Sequence, residues 1–177
     1  FRSNLNFKYR IKPNIQAGLN FNFNDGENNS PFYWQDYGKG TYIADTASYS
    51  FSEYNRFNLD PYLNIVGKNG LNHKIRARYL RVNNQVQMNR ANESNQVLGE
   101  YQFTKKLLSI QSTLSGGFIY TQLSSKSQLY SNQDYRQRNL GLYTQVEKTF
   151  AEKLKVNIGF RYESNKTMTP DSVPYAL

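Results

Sequence analysis

The sequence predicts an all-β fold, an antiparallel up-and-down meander of about eight strands, and three observations carry that prediction. The first is a period of two in polarity. In the run Leu154–Tyr162, Leu154, Val156, Ile158, Phe160 and Tyr162 share one face, while Lys155, Asn157, Gly159 and Arg161 share the other. Successive side chains of a strand point to opposite faces, so this pattern is that of a strand with one apolar side. The second observation is that such runs recur along all 177 residues, separated by turn-forming residues. The third is that connections alternate in length: Lys12–Asn14, Gly67–Gly70, Thr104–Lys106 and Ala151–Lys153 are short, whereas Asp25–Ser50, Asn83–Asn95, Ser124–Tyr135 and the stretch from Thr167 are long.

Taken in order, Ser3–Ile11 sets Leu5, Phe7, Tyr9 and Ile11 against Asn4, Asn6, Lys8 and Arg10. Pro13 ends it by fixing φ and removing a ladder donor. Ile15–Asn24 repeats the alternation with Leu19, Phe21 and Phe23 opposite Asn20, Asn22 and Asn24. Asp25–Pro31 is dense in turn formers and opens a long loop carrying Phe32, Tyr33, Trp34 and Tyr37. Phe51–Val66 returns to strand, with Pro61 predicting a bulge or a weakened ladder. Gly67-Lys68-Asn69-Gly70 is a tight-turn signal, and Leu71–Val82 follows with Ile75, Ala77 and Tyr79 against Lys74, Arg76 and Arg78. A third hairpin, Gln96–Phe103 with Leu107–Leu123, holds Gly116-Gly117 mid-strand, where a missing side chain signals a bend or a close neighbour. Arg138–Phe150 and Leu154–Tyr162 form the fourth.

Composition narrows the class. Tyr contributes 15 residues and Phe 11, yet only 38% of the chain is hydrophobic. A membrane barrel reconciles the two, because only alternate residues need be apolar and rings collect at the lipid boundary. No run approaches the ~18 apolar residues of a membrane helix. Leu5, Leu19, Leu63, Ile75, Leu114, Leu142 and Ile158 are therefore expected to share a lipid-facing side. The net charge of +9 is spread along strands and turns rather than clustered, which argues against a nucleic-acid partner. Cys is absent and His73 is the single histidine, which excludes a Cys-ligated metal and leaves no Ser-His-Asp triad in prospect. No catalytic residue, metal or cofactor is expected.

The segment Arg138–Glu163 resembles the middle of TonB-dependent outer-membrane transporters. Those barrels carry a strand of the type Tyr-x-Gln-x-Glu, a turn ending Lys-Leu and a strand ending Gly-x-Arg-Tyr, matched here by Tyr143, Gln145, Glu147, Lys153, Leu154, Gly159, Arg161 and Tyr162. The Asn- and Tyr-rich composition resembles that of Bacteroidota members. The resemblance implies an antiparallel transmembrane β-barrel of about twenty-two strands, of which residues 1–177 would be about eight, all in one barrel domain. It implies energised import of a nutrient across the outer membrane of a Gram-negative bacterium. The implied partners are outer-membrane lipid, the TonB complex acting through a plug domain absent from this chain, and a surface lipoprotein. The alternative is a self-contained eight-stranded outer-membrane barrel acting as an adhesin or structural protein. Candidate contacts to substrate or partner are Phe32, Tyr33, Trp34 and Tyr37. The candidate lumen-facing charges are Arg76, Arg78, Glu100 and Arg161.

Overall fold

Alternating side chains leave each segment one solution, an extended strand with two chemically different faces. The computed structural model describes residues 1–31, 33, 43, 49–86, 90–128, 134–151 and 153–168. Its strands are β1 (Arg2–Lys12), β2 (Ile15–Pro31), β3 (Tyr49–Val66), β4 (Leu71–Val86), β5 (Asn92–Leu107), β6 (Ser112–Ser127), β7 (Asp134–Phe150) and β8 (Leu154–Met168). They form one sheet in sequence order, antiparallel throughout, with β1 and β8 as its two edges.

Register sorts the faces. Ala17, Leu63, Ile75, Tyr101, Phe118 and Leu142 fall in one row across six strands, while Gly18, Tyr62, Arg76, Glu100, Ile119 and Gly141 form a row on the opposite face. The seven residues expected to share an apolar side do so. No second layer covers them: among the described residues no hydrophobic side chain is buried, and Leu5 and Ile158 are 60% and 71% exposed. A soluble sandwich would bury this face against another sheet. The rings on it touch across strands, as in the edge-on pairs Phe21–Phe57 at 5.5 Å and Phe57–Tyr79 at 5.9 Å.

The apolar band runs obliquely across the sheet. Its loop-side end is Phe23 on β2 and Phe57 on β3, which are paired. On β4 it is Tyr79, paired one step lower with Leu59. On β6 it is Tyr120, whose row passes through Gly99, and on β8 it is Tyr162, whose row passes through Leu142 and Phe118. The boundary thus slips by about one residue per strand. With ~3.3 Å of rise per residue and ~4.8 Å between strands, a band level with a membrane requires strands tilted by about 35°. That is the tilt of outer-membrane barrels.

Two expectations need correction. The long connections are shorter than their composition suggests, because β2 extends to Pro31, β4 to Val86 and β6 to Ser127. The turn formers Asp25–Ser30 are strand residues paired with Ser50–Asn55. Hydrophilic composition marked the end of the apolar band, and the ladder continues beyond it. The third short turn lies at Leu108–Gln111, not Thr104–Lys106: a 3-10 turn over Leu108–Ile110 closes on Gln111 at φ 48°. Lys105 and Lys106 remain in the ladder opposite Leu114 and Thr113. Phe103–Leu107 and Phe150–Leu154 share the pattern Phe-x-x-Lys-Leu, yet only the second is a turn, with Ala151 at φ 48°. Of the two outcomes expected at Pro61, a bulge or a weakened ladder, the structure has the second. The β3–β4 pairing lapses at Asp60–Pro61 and resumes in unchanged register between Leu59↔Tyr79 and Tyr62↔Arg76.

Candidate functional site: charged clefts on the polar face

The Gly67–Gly70 turn folds β4 back along β3 and so places Asp60 opposite Arg78 on the polar face. Pro61 offers no N–H to the ladder there, and a side-chain bridge crosses the interrupted seam. Arg78 donates from Nε to Asp60 Oδ1 at 2.6 Å and from Nη2 to Oδ2 at 3.1 Å. Asn58 Nδ2 donates to the same Oδ2 at 2.8 Å, which holds the carboxylate in line. Two residues earlier on β4, Arg76 pairs with Glu100 of β5. The fork of a guanidinium matches a carboxylate, so these pairs are directional as well as charged.

Asp60, Tyr62, Lys74, Arg76, Arg78 and Glu100 line an open cleft of about 610 Å³. Past Glu100 and Ile119, which line both, a second cleft of about 370 Å³ is bounded by Tyr143 and Arg161. Arg161 bonds Glu163 on its own strand, Nε to Oε1 at 2.8 Å.

Glycine controls the depth of this face. Gly18, Gly26 and Gly117 lie opposite or beside Tyr62, Tyr54 and Tyr143 on the neighbouring strands. A Cβ at Gly18 would strike the Tyr62 ring, one at Gly26 would lie 2.6 Å from Tyr54 Oη, and one at Gly117 would lie 2.9 Å from Tyr143 Oη. At Gly18 and Gly26 the tyrosine occupies the place of the missing side chain, the pairing known as aromatic rescue of a strand glycine, while at Gly117 the Tyr101 carbonyl oxygen stands nearer still to such a Cβ. The close neighbour expected for Gly116-Gly117 is present.

Arg76, Arg78 and Glu100 come together in the first cleft, and Arg161 stands in the second. Tyr33 is 71% exposed. Phe32, Trp34 and Tyr37 lie outside the described residues. Sequence reasoning missed Asp60 as the partner of Arg78, together with Lys74, Tyr62 and Tyr143. The register that pairs Val66 with Asn72 sets residue 60 opposite residue 78, one residue away from what equal counting out from Gly67–Gly70 gives. Lys74 has no carboxylate partner among the described residues, and neither do Lys8, Arg10 and Arg56 on the same face. What the clefts offer is binding: ammonium and guanidinium donors over a shallow polar floor.

A two-faced meander with an oblique apolar band is the wall of a membrane barrel, and its family follows from comparison. The family model described as TonB dependent receptor-like, beta-barrel, matches residues 1–176. The chain belongs to this family. No curated protein and no solved structure matches it. The TonB-dependent receptors are an outer-membrane family of Gram-negative bacteria whose barrels serve transport, work with a plug domain and are served by TonB. The alternating strands of Arg138–Glu163, on which the resemblance rested, are β7 and β8.

Proposed function

We propose that residues 1–177 form part of the wall of an outer-membrane receptor that imports a nutrient, energised by TonB acting on a plug domain. The observation that carries the reading is the sheet with an exposed apolar band on one face and charged clefts on the other, in a chain matched by the family over residues 1–176. The apolar face meets outer-membrane lipid, and the polar face lines the lumen. The edges β1 and β8 do not pair with each other, which favours continuation into further strands over a closed eight-stranded barrel. Arg76, Arg78, Glu100 and Arg161 are lumen charges. The cations beside them without carboxylate partners suit an anionic nutrient or a plug carboxylate. Phe32, Tyr33, Trp34 and Tyr37, which fall in sequence between β2 and β3, receive substrate or a surface lipoprotein.

The test is growth on a panel of scarce nutrients. A strain lacking the receptor and a strain lacking TonB are expected to lose growth on the same nutrient. A defect that persists unchanged when TonB is removed or restored would overturn energised import. Within the receptor, Trp34→Ala with Tyr37→Ala is expected to lower uptake without altering barrel assembly. Undiminished uptake would sink the aromatic contact.

A further inference from the structure

The polar face of β1 to β3 is built largely of amides. Toward the long connections two rows cross it, Arg2–Asn24–Arg56 and Asn4–Asn22–Asn58. These six residues line a separate cleft of about 300 Å³. Arg78 borders both this cleft and the 610 Å³ cleft beside it. The outer row lies one residue beyond Phe23 and Phe57, which end the apolar band on the other face. Under the import reading, that end faces the medium from which a nutrient arrives. Arg2 and Arg56 are exposed, and neither has a carboxylate partner among the described residues. Both stand opposite Asn24, with their backbones ~9.6 Å apart at two strand spacings.

Two features mark this cleft as more than a solvated wall. The first is an acceptor with nothing to accept. Asn58 Nδ2 donates to Asp60 Oδ2 at 2.8 Å, and a carboxylate can only accept, so the oxygen end of the amide is the end left over. That Oδ1 is buried and has no hydrogen-bond partner among the described residues, a costly state until a donor arrives. The second feature is that Arg56 is held in place. Its guanidinium lies 5.8 Å from the centre of the Tyr54 ring, and that ring fills the room left by Gly26 on β2. Glycine thus makes room for the ring, and the ring supports the cation.

We propose that this cleft binds an acidic sugar, a hydroxylated ring carrying a carboxylate, as part of the imported nutrient. Each part of the ligand has its counterpart. Arg2 and Arg56 supply charge-assisted donors to the carboxylate. Asn4, Asn22 and Asn24 each offer both a donor and an acceptor, which matches hydroxyls that do the same. Asn58 Oδ1 accepts from a ring hydroxyl, two residues and ~6.6 Å along β3 from Arg56, an interval that one sugar ring and its carboxylate span. An inorganic anion would satisfy the arginines and leave Asn58 Oδ1 unmet. A neutral sugar would leave both cations without a counter-charge. The inference rests on the import reading above and names the class of ligand for it.

The experiment uses the intact receptor purified in detergent and measures binding by isothermal titration calorimetry. The probes are trigalacturonate, the neutral galactotriose, and tricarballylate, which carries carboxylates but no hydroxyl. Wild type is expected to bind trigalacturonate about tenfold more tightly than either of the others. Arg2→Gln with Arg56→Gln should weaken trigalacturonate about tenfold or more, as loss of charge-assisted hydrogen bonds implies, and leave galactotriose unchanged. Asn58→Ala should weaken trigalacturonate about tenfold and leave tricarballylate unchanged. Lys106→Gln, exposed on the same face beside the short turn after β5, is expected to change nothing. Equal trigalacturonate affinity in wild type and the double variant, with the strand signal in circular dichroism preserved, would overturn the site while leaving import intact. So would tricarballylate binding as tightly as trigalacturonate, since the amides would then contribute nothing. A receptor whose growth phenotype is independent of TonB would overturn both.

Discussion

At the scale of single residues, the pair Asp60–Arg78 shows how a wall repairs a fault in its own backbone. Pro61 interrupts the β3–β4 ladder, and the bidentate bridge spans the interruption. Both partners keep some exposure, 48% for Arg78 and 20% for Asp60, so solvent screens much of the attraction. A double-mutant cycle with Asp60→Ala and Arg78→Ala is expected to give a coupling of about 1 kcal/mol in urea unfolding. The Arg161–Glu163 pair joins residues of one strand and secures no seam; its coupling should stay below about 0.5 kcal/mol. Equal couplings would show that the lapse at Pro61 carries no special load. The bridge was only half legible in the sequence. Alternation placed Asp60 and Arg78 on the polar face, but their partnership depended on the register set by the Gly67–Gly70 turn.

At the scale of strands, the existence and order of the eight elements followed from period-two patterning, whereas their ends did not. Polarity reports where the apolar band stops, and backbone pairing continues past that point, so β2 absorbs Asp25–Pro31 despite its turn formers. The third turn was misplaced because Lys105-Lys106 is polar. Closure instead fell where Gln111 adopts a left-handed conformation, a property composition does not announce. Glycine placement is a further element-scale device. Gly18→Val is expected to cost about 1–3 kcal/mol by driving its side chain into the Tyr62 ring. Adding Tyr62→Ala should recover much of that loss. A double mutant as unstable as the sum of the singles would show that strand geometry, not the ring, selects glycine at position 18.

At the scale of the whole molecule, one sheet separates two environments. Its apolar band slips by about one residue per strand, which turns a list of strands into a membrane-crossing wall tilted by about 35°. Cleft depth and lumen charge both depend on which face looks where, so that orientation is the central claim. The chain contains no Cys, so single cysteines can be introduced one at a time from position 154 to 163 in the otherwise intact receptor. Each is spin-labelled, and its collision rates with lipid-soluble oxygen and a water-soluble nickel chelate are compared in bilayers. The account predicts a strict alternation, with oxygen dominant at 154, 156, 158, 160 and 162 and nickel dominant at 155, 157, 159, 161 and 163. A flat profile, or alternation of the opposite phase, would contradict it.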